Sequence, residues 1–262
     1  MHNITKTKAD LVLVSVTIFW GSTFILSKNV LEEISLANYL AIRLILAALF
    51  ISLYAQKHRS SYNTKTLQHG ITLGIFLFLS YLFQMWGIKY TTASNAGFIT
   101  GLNVVLVPVF SILFFKDHPR FASIIGVSFA TFGLFLLSGG NFSNLNLGDW
   151  LVVICAIAVT FHIILTGKYA SQHNIYLLTA IQLSTVGFLS LLFASLDGFT
   201  LPTLTTNTII VLVYLALFGT VYTFLMQTAM QRYTTATRTA LVFALEPVFA
   251  ALFAYYIVNE IL

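Results

Sequence analysis

Apolar runs of about twenty residues, each closed by a charge or a group of turn residues, recur along the whole chain. A helix rising 1.5 Å per residue needs about 20 apolar residues to cross a hydrocarbon layer of about 30 Å. That spacing predicts nine spans, at 10–29, 36–56, 68–88, 94–115, 121–139, 149–168, 176–196, 207–230 and 236–258. The connections between them are short, so they belong to one helical bundle. The first run is long enough to span, and its Phe19-Trp20-Gly21-Ser22-Thr23 centre lacks the smooth apolar core of a cleaved signal, so it is expected to stay in the membrane.

Composition agrees with the pattern. The 262 residues are 58% hydrophobic and 8% charged, with a mean hydropathy of +0.90, whereas a globular chain carries roughly 25% charged residues. So few charges cannot clothe a water-soluble surface, which excludes a soluble enzyme, a nucleic-acid binder and a disordered protein. The net charge of +5 does not form a basic stripe, so nucleic acid is not a partner; the lipid bilayer is. Lys6, Lys8, Lys57, Arg59, Lys65, Lys116, Arg120, Lys168, Arg232 and Arg238 fall on one side of the predicted spans, and Lys28 and Lys89 on the other. Retention of positive residues on the inner face then predicts a multi-pass protein of the cell's cytoplasmic membrane with a cytoplasmic N-terminus. Cys155, the lone cysteine, lies among apolar neighbours and reads as a small buried hydrophobe.

The chain also repeats itself at an offset of 143 residues. Gln84, Lys89, Tyr90, Thr91, Thr92, Ala93 and Asp117 match Gln227, Arg232, Tyr233, Thr234, Thr235, Ala236 and Glu260 without a gap. Spans three and four therefore correspond to spans eight and nine, and the repeat unit is five spans. An odd number places the two copies in opposite orientations, with Tyr90 outside and Tyr233 inside. Inverted repeats of this kind build secondary transporters, whose sites lie near the midplane between halves. Pro108 and Pro247, in the corresponding spans four and nine, are expected to break those helices and to free the carbonyls of Val104 and Phe243.

Phe19-Trp20-Gly21-Ser22-Thr23-Phe24, the Tyr-Thr-Thr-Ala-Ser-Asn-Ala-Gly-Phe-Ile segment at 90–99, and Leu245-Glu246-Pro247-Val248 ahead of Asn259-Glu260 together resemble the EamA-like permeases of the drug/metabolite transporter superfamily. The resemblance implies an all-α polytopic membrane protein made of two inverted five-helix repeats, here 1–140 and 148–262. It further implies movement of small metabolites or drugs, often outward, by alternating access, and names no substrate. The family would continue beyond Glu260 into a tenth helix. Nine spans in hand therefore suggest a second repeat lacking its fifth helix, either as a truncated product or for want of a final segment, with one helix-packing face left open.

Charged groups in hydrocarbon need a partner or a polar cavity. Arg43 lies roughly 10 Å deep in span two and Glu246 roughly 15 Å deep in span nine, depths that suit a pair facing one cavity. Whether such a pair is a proton-sensitive gate or a fixed bridge stays open. His162, in span six, is either a proton carrier or a hydrogen-bonded packing residue. Trp20, Tyr81, Gln84, Asn103, Tyr222 and Gln227 would add aromatic faces and neutral hydrogen bonds suited to a small amphipathic substrate. Trp86 and Trp150 fit the interfacial belt. Gly70 with Gly74, and Gly97 with Gly101, permit close helix approach on separate partners.

Two other classes compete with a carrier. A membrane-embedded enzyme would need a convergent catalytic set, yet there is no His-Glu-x-x-His, no Gly-x-Ser-x-Gly and no phosphate-cradling glycine loop. Of His2, His58, His69, His118, His162 and His173, all but His162 fall in loops or at span ends, so no metal site and no cofactor are expected. A channel would favour polar rings and oligomer symmetry over inverted halves. A non-transporting, truncated scaffold is the remaining alternative. Proton coupling, self-association and the direction of transport are left open.

Overall fold

The computed structural model describes residues 4–137, 145–197 and 202–258. Its elements are α1 (Lys6–Glu33), α2 (Leu36–Ala55), α3 (Thr64–Ile88), α4 (Ala93–Gly101), α5 (Asn103–Phe115), α6 (Phe121–Leu137), α7 (Leu147–Tyr169), α8 (Ile175–Leu196), α9 (Thr206–Ala216), α10 (Thr223–Met230), α11 (Ala236–Phe243) and α12 (Glu246–Val258). A 3₁₀ turn at Gln56–Ser61 follows α2, and a π-helical turn at Leu217–Tyr222 joins α9 to α10. The described residues contain helices and no strand. Eight helical stretches are long and apolar enough to cross a bilayer, and Phe121–Leu136 is a shorter apolar helix in the place of the expected fifth span. Residues 138, 139 and 259–262, including Glu260, lie outside the described residues.

Helix starts are set by short polar side chains. Thr5, Ser35, Asn63, Thr92, Asn146, Asn174, Thr205 and Thr235 each accept a hydrogen bond from a backbone N–H of the first turn, which satisfies a donor that lipid could not. Asn146 and Asp149 complete a reciprocal capping box at the start of α7.

The bundle is polar within and apolar without. Leu113, Phe129, Phe188 and Leu196 are well exposed, while Thr17, Ser27, Thr160, Gln182 and Thr228 are fully buried. Many buried hydroxyls return a bond to their own helix, as Thr160 does to the Ala156 carbonyl and Thr228 to the Phe224 carbonyl. Helices from the two ends of the chain interleave: α2 packs on α8, α3 on α7 and α8, and α1 on α10 and α12. Small residues allow the tightest crossings, with Gly70 and Gly74 against Ile181 and Thr185 of α8, and Gly97 and Gly101 against Ala250 and Pro247 of α12.

The interruption of the fourth expected span departs from the proline-based expectation, while that of the ninth falls just ahead of its proline. Pro108 lies inside a continuous α5, and the chain turns instead at Leu102, six positions earlier. Its missing N–H is absorbed by a helix already under way. In the other half the turn falls at Ala244–Leu245, and Pro247 sits in the first turn of α12, where its absent donor costs least. The turn residues Leu102 and Leu245 stand 143 positions apart, as do the caps Thr92 and Thr235.

A methyl group at Gly21 would lie 2.5 Å from Phe249 Cβ and 2.8 Å from the Ala250 backbone nitrogen, so α12 would have to move away from α1. Gly21→Ala is expected to lower the stability of the detergent-solubilised protein by roughly 1–3 kcal/mol. Gly133→Ala, with nothing within 4 Å of the added methyl, should leave it unchanged or slightly raised. Thermal unfolding of the two variants checks the contrast.

Candidate functional site

A cavity of about 50 Å³ lies in the bundle interior, lined by Trp20 and Thr23 of α1, Arg43 of α2, Leu77, Ser80, Tyr81 and Gln84 of α3, Thr100 of α4, Val159, His162 and Ile163 of α7, Phe224 and Gln227 of α10, and Glu246 of α12. Seven residues singled out in the sequence therefore meet here: Trp20, Arg43, Tyr81, Gln84, His162, Gln227 and Glu246. Three pairs among the lining residues stand 143 positions apart, Trp20 with Ile163, Tyr81 with Phe224 and Gln84 with Gln227.

Arg43 is 1% exposed and makes five hydrogen bonds. Its Nε donates to Thr220 Oγ1 at 3.1 Å, Nη1 to the Tyr39 hydroxyl at 2.5 Å and to Ser27 Oγ at 3.4 Å, and Nη2 to the Tyr81 hydroxyl and the Gly219 carbonyl, both at 3.3 Å. Its guanidinium carbon also stands 4.9 Å from the Tyr81 ring centroid. The π turn makes this possible by widening the helix where Gly219 and Thr220 face Arg43. A methyl at Gly219 would meet Arg43 Nη2 at 3.2 Å and Thr23 Cγ2 at 2.7 Å.

The expected Arg43–Glu246 pair does not form. The described ion pairs are Lys168 with Asp117 and Arg238 with Asp10. The donors of Arg43 are taken up by hydroxyls and a carbonyl, and Glu246, 6% exposed, has no side-chain hydrogen bond among the described residues. Glu246 is the first residue of α12, where the positive end of the helix dipole favours negative charge. Aromatic rings form one wall: Trp20 lies 5.4 Å from Phe224 and 4.9 Å from Phe243, and Tyr81 lies 6.1 Å from Phe224. His162 is held by Gln182 Oε1 at 3.0 Å and meets the Phe224 ring edge to face. Gln227 donates to Gln231 Oε1 at 3.0 Å, and its own Oε1 is buried without a partner.

Two expected lining residues lie elsewhere. Tyr222 stands five positions before Gln227, about 140° around an α-helix; it points to Ser15, at 2.7 Å, and to Phe19. Asn103, at the α4–α5 turn, folds back to donate to the Thr100 carbonyl at 2.9 Å, leaving its Oδ1 buried without a partner. Helical spacing could have set Tyr222 apart from Gln227, whereas the fold-back of Asn103 depends on local backbone geometry at the α4–α5 turn.

The face bearing the N-terminus carries a vestibule of about 540 Å³, lined in part by Lys6, Arg120, Lys168, Arg232 and Arg238. The opposite face is closed where α7 begins. There Asp149 Oδ1 accepts from Thr91 Oγ1 at 2.8 Å and from Asn95 Nδ2 at 2.5 Å, and the backbones of Gly87 and Gly148 leave no room for a side chain. One contact had no counterpart in the sequence pattern: His69 Nδ1 and His173 Nε2 are 2.7 Å apart, and His173 Nδ1 is 2.9 Å from Thr66 Oγ1. Burial, then His69 and Lys65, holds His173 below the usual histidine range. Among the described residues no group of three or more potential metal ligands occurs.

The EamA-like transporter family's sequence profile matches residues 7–139 and, separately, 146–262. The chain belongs to that family. It is a multi-pass membrane transporter of the drug/metabolite transporter superfamily. A protein of Archaeoglobus fulgidus described as an uncharacterized transporter is 35% identical over 263 residues, spanning 100% of this chain and 82% of that protein. A WAT1-related chloroplastic protein of Arabidopsis thaliana is 24% identical over 95% of this chain and 63% of its own length. One solved structure matches 97% of this chain and 89% of its own with a TM-score of 0.77 at 16% identity, a likeness of fold.

Arg43→Lys replaces a planar fork by a point charge that cannot reach acceptors on α1, α2, α3 and the π turn together. A stability loss of roughly 1–3 kcal/mol is expected, against no change for Arg59→Lys at an exposed position. Unfolding of purified protein in detergent distinguishes the two.

Proposed function

We propose that this transporter is a secondary carrier whose two halves, inverted with respect to each other and represented here by five spans and four, alternately expose the interior cavity to the two sides of the cytoplasmic membrane. The observation that carries this reading is the pairing of the lining residues: Trp20 with Ile163, Tyr81 with Phe224 and Gln84 with Gln227, each 143 positions apart. A cavity lined by equivalent positions of both copies sits where the copies meet, the place that inverted-repeat carriers use for substrate.

Packing supports the same symmetry. Shifting by 143 positions turns the α3–α7 contact into α10–α1, α5–α7 into α12–α1, and α4–α12 into α11–α5, and all six contacts occur. The two separate matches to the family profile fall on the proposed halves. The cavity, at about 50 Å³, holds a water or two, so a metabolite enters only if one side opens. The turns at Leu102 and Leu245 supply places to flex beside the cavity wall. Trp20, Tyr81, Phe224, Gln84, Gln227 and His162 suit a small amphipathic substrate, and Glu246, without a partner of its own, is the group through which a proton would be coupled. The excess of Lys and Arg on the Lys6 side supports a cytoplasmic N-terminus.

In proteoliposomes, a panel of labelled metabolites should include one that shows counterflow. For that substrate Gln84→Leu and Gln227→Leu are each expected to slow exchange by roughly tenfold, the value of a lost buried hydrogen bond, and Glu246→Gln should flatten its pH dependence. Wild-type exchange at every pH in the Glu246 variant would reduce that residue to packing, and wild-type exchange in both glutamine variants would remove the cavity from the pathway.

A further inference from the structure

The vestibule on the N-terminal face gathers five cations, Lys6, Arg120, Lys168, Arg232 and Arg238, around one concavity. Lys168 is paired with Asp117 and Arg238 with Asp10, while Lys6, Arg120 and Arg232 have no carboxylate within 4.0 Å among the described residues. Retention of positive residues on one face explains their side of the membrane. It does not explain their convergence, because Lys57 and Arg59 on the same side line no part of this space.

The other half of the chain shows what the same turn binds. On the closed face, Thr91 and Asn95 donate to the carboxylate of Asp149. The positions 143 residues on are Thr234 and Arg238, and the position corresponding to Asp149 is Lys6. The second copy of the turn therefore keeps donors and has a cation where the first has its acceptor. Asp10 engages Arg238, but the buried Thr234 Oγ1 has no partner. The first turn of α11, beginning at Ala236, lines the same space, with its Arg238 amide already capped by Thr235.

We infer that the vestibule binds an oxyanion, a phosphate or carboxylate group, which takes beside Thr234, Arg120 and Arg232 the place that Asp149 fills beside Thr91 and Asn95. The ligand is a soluble anion or the phosphate of a lipid headgroup, since the lining residues Lys6, Lys168 and Arg232 stand at the ends of apolar helices long enough to span a bilayer. Binding here goes beyond transport through the interior cavity and does not depend on it.

Inorganic pyrophosphate is the probe. Added to the detergent-solubilised full chain at constant ionic strength, it should raise the unfolding temperature saturably, with chloride giving no such rise. The Arg120→Gln/Arg232→Gln variant, at two exposed positions, should require at least about tenfold more pyrophosphate for half of the effect, as expected for a lost charge-assisted contact. Lys57→Gln/Arg59→Gln should respond as wild type, and the single Arg232→Gln variant should fall between. Repeating the titration in nanodiscs separates the sources: a response in phosphatidylcholine that vanishes in phosphatidylglycerol assigns the site to headgroup phosphate, and an equal response in both assigns it to a soluble anion. A non-saturable rise, or one unchanged in the double arginine variant and in Arg232→Gln, would overturn the inference.

Discussion

The guanidinium of Arg43 is buried in the bundle without a carboxylate partner, and the arrangement of the core follows from how the protein meets that demand. Its donors reach Ser27 on α1, Tyr39 on α2, Tyr81 on α3 and the Gly219–Thr220 stretch of the π turn. These elements cannot separate without leaving an unpaired charge in a medium of low dielectric. The π turn, Gly219 without a side chain and the cluster of buried hydroxyls each serve this contact. A regular helix through 217–222 would have turned the Gly219 carbonyl into its own ladder.

With Arg43 held by neutral groups, Glu246 is left, among the described residues, as a charged side chain that lines the cavity without a hydrogen bond of its own. That asymmetry distinguishes the cavity from a closed ion pair and underlies the proposal that it responds to a proton or a substrate. The surroundings are otherwise neutral donors and aromatic faces, which hold a ligand without strongly fixing its charge. Nearby, the chain turns at Leu102 and Leu245, and the buried atoms of Asn103 and Gln227 that lack partners lie beside these interruptions or on the cavity wall. Unpaired polar atoms in this region are groups for which a rearranged bundle or a bound molecule would supply partners.

Much of this was readable in the chain. Apolar run length located the helices to within a few residues, because a bilayer imposes a length that no soluble core does. The rarity of charge in those runs pointed to Arg43 and Glu246, and the 143-residue offset to Gln84 and Gln227. Proline was an uneven guide to the interruptions: Pro247 follows directly on the turn at Ala244–Leu245, whereas Pro108 is absorbed within α5 and the other turn falls at Leu102, between Gly101 and Asn103. The ionic partnership of Arg43 with Glu246 was also misread, since depth along a helix says nothing about which way a side chain turns. Tyr222 is displaced for the same reason. The His69–His173 contact joins residues 104 positions apart with no shared motif.

The proposed carrier turns on whether the interior cavity opens to both sides of the membrane. Cys155, the lone native cysteine, is buried, so with Cys155→Ala as background a single cysteine at position 84 or 227 reports on the cavity, and Tyr90→Cys and Tyr233→Cys report on the two proposed faces. In oriented vesicles treated with a membrane-impermeant thiol reagent, the account predicts that Gln84→Cys and Gln227→Cys react from either side, with a transported substrate protecting both, while Tyr90→Cys reacts from outside alone and Tyr233→Cys from inside alone. Reaction of the cavity cysteines from one side only, or of both marker cysteines from the same side, would contradict it.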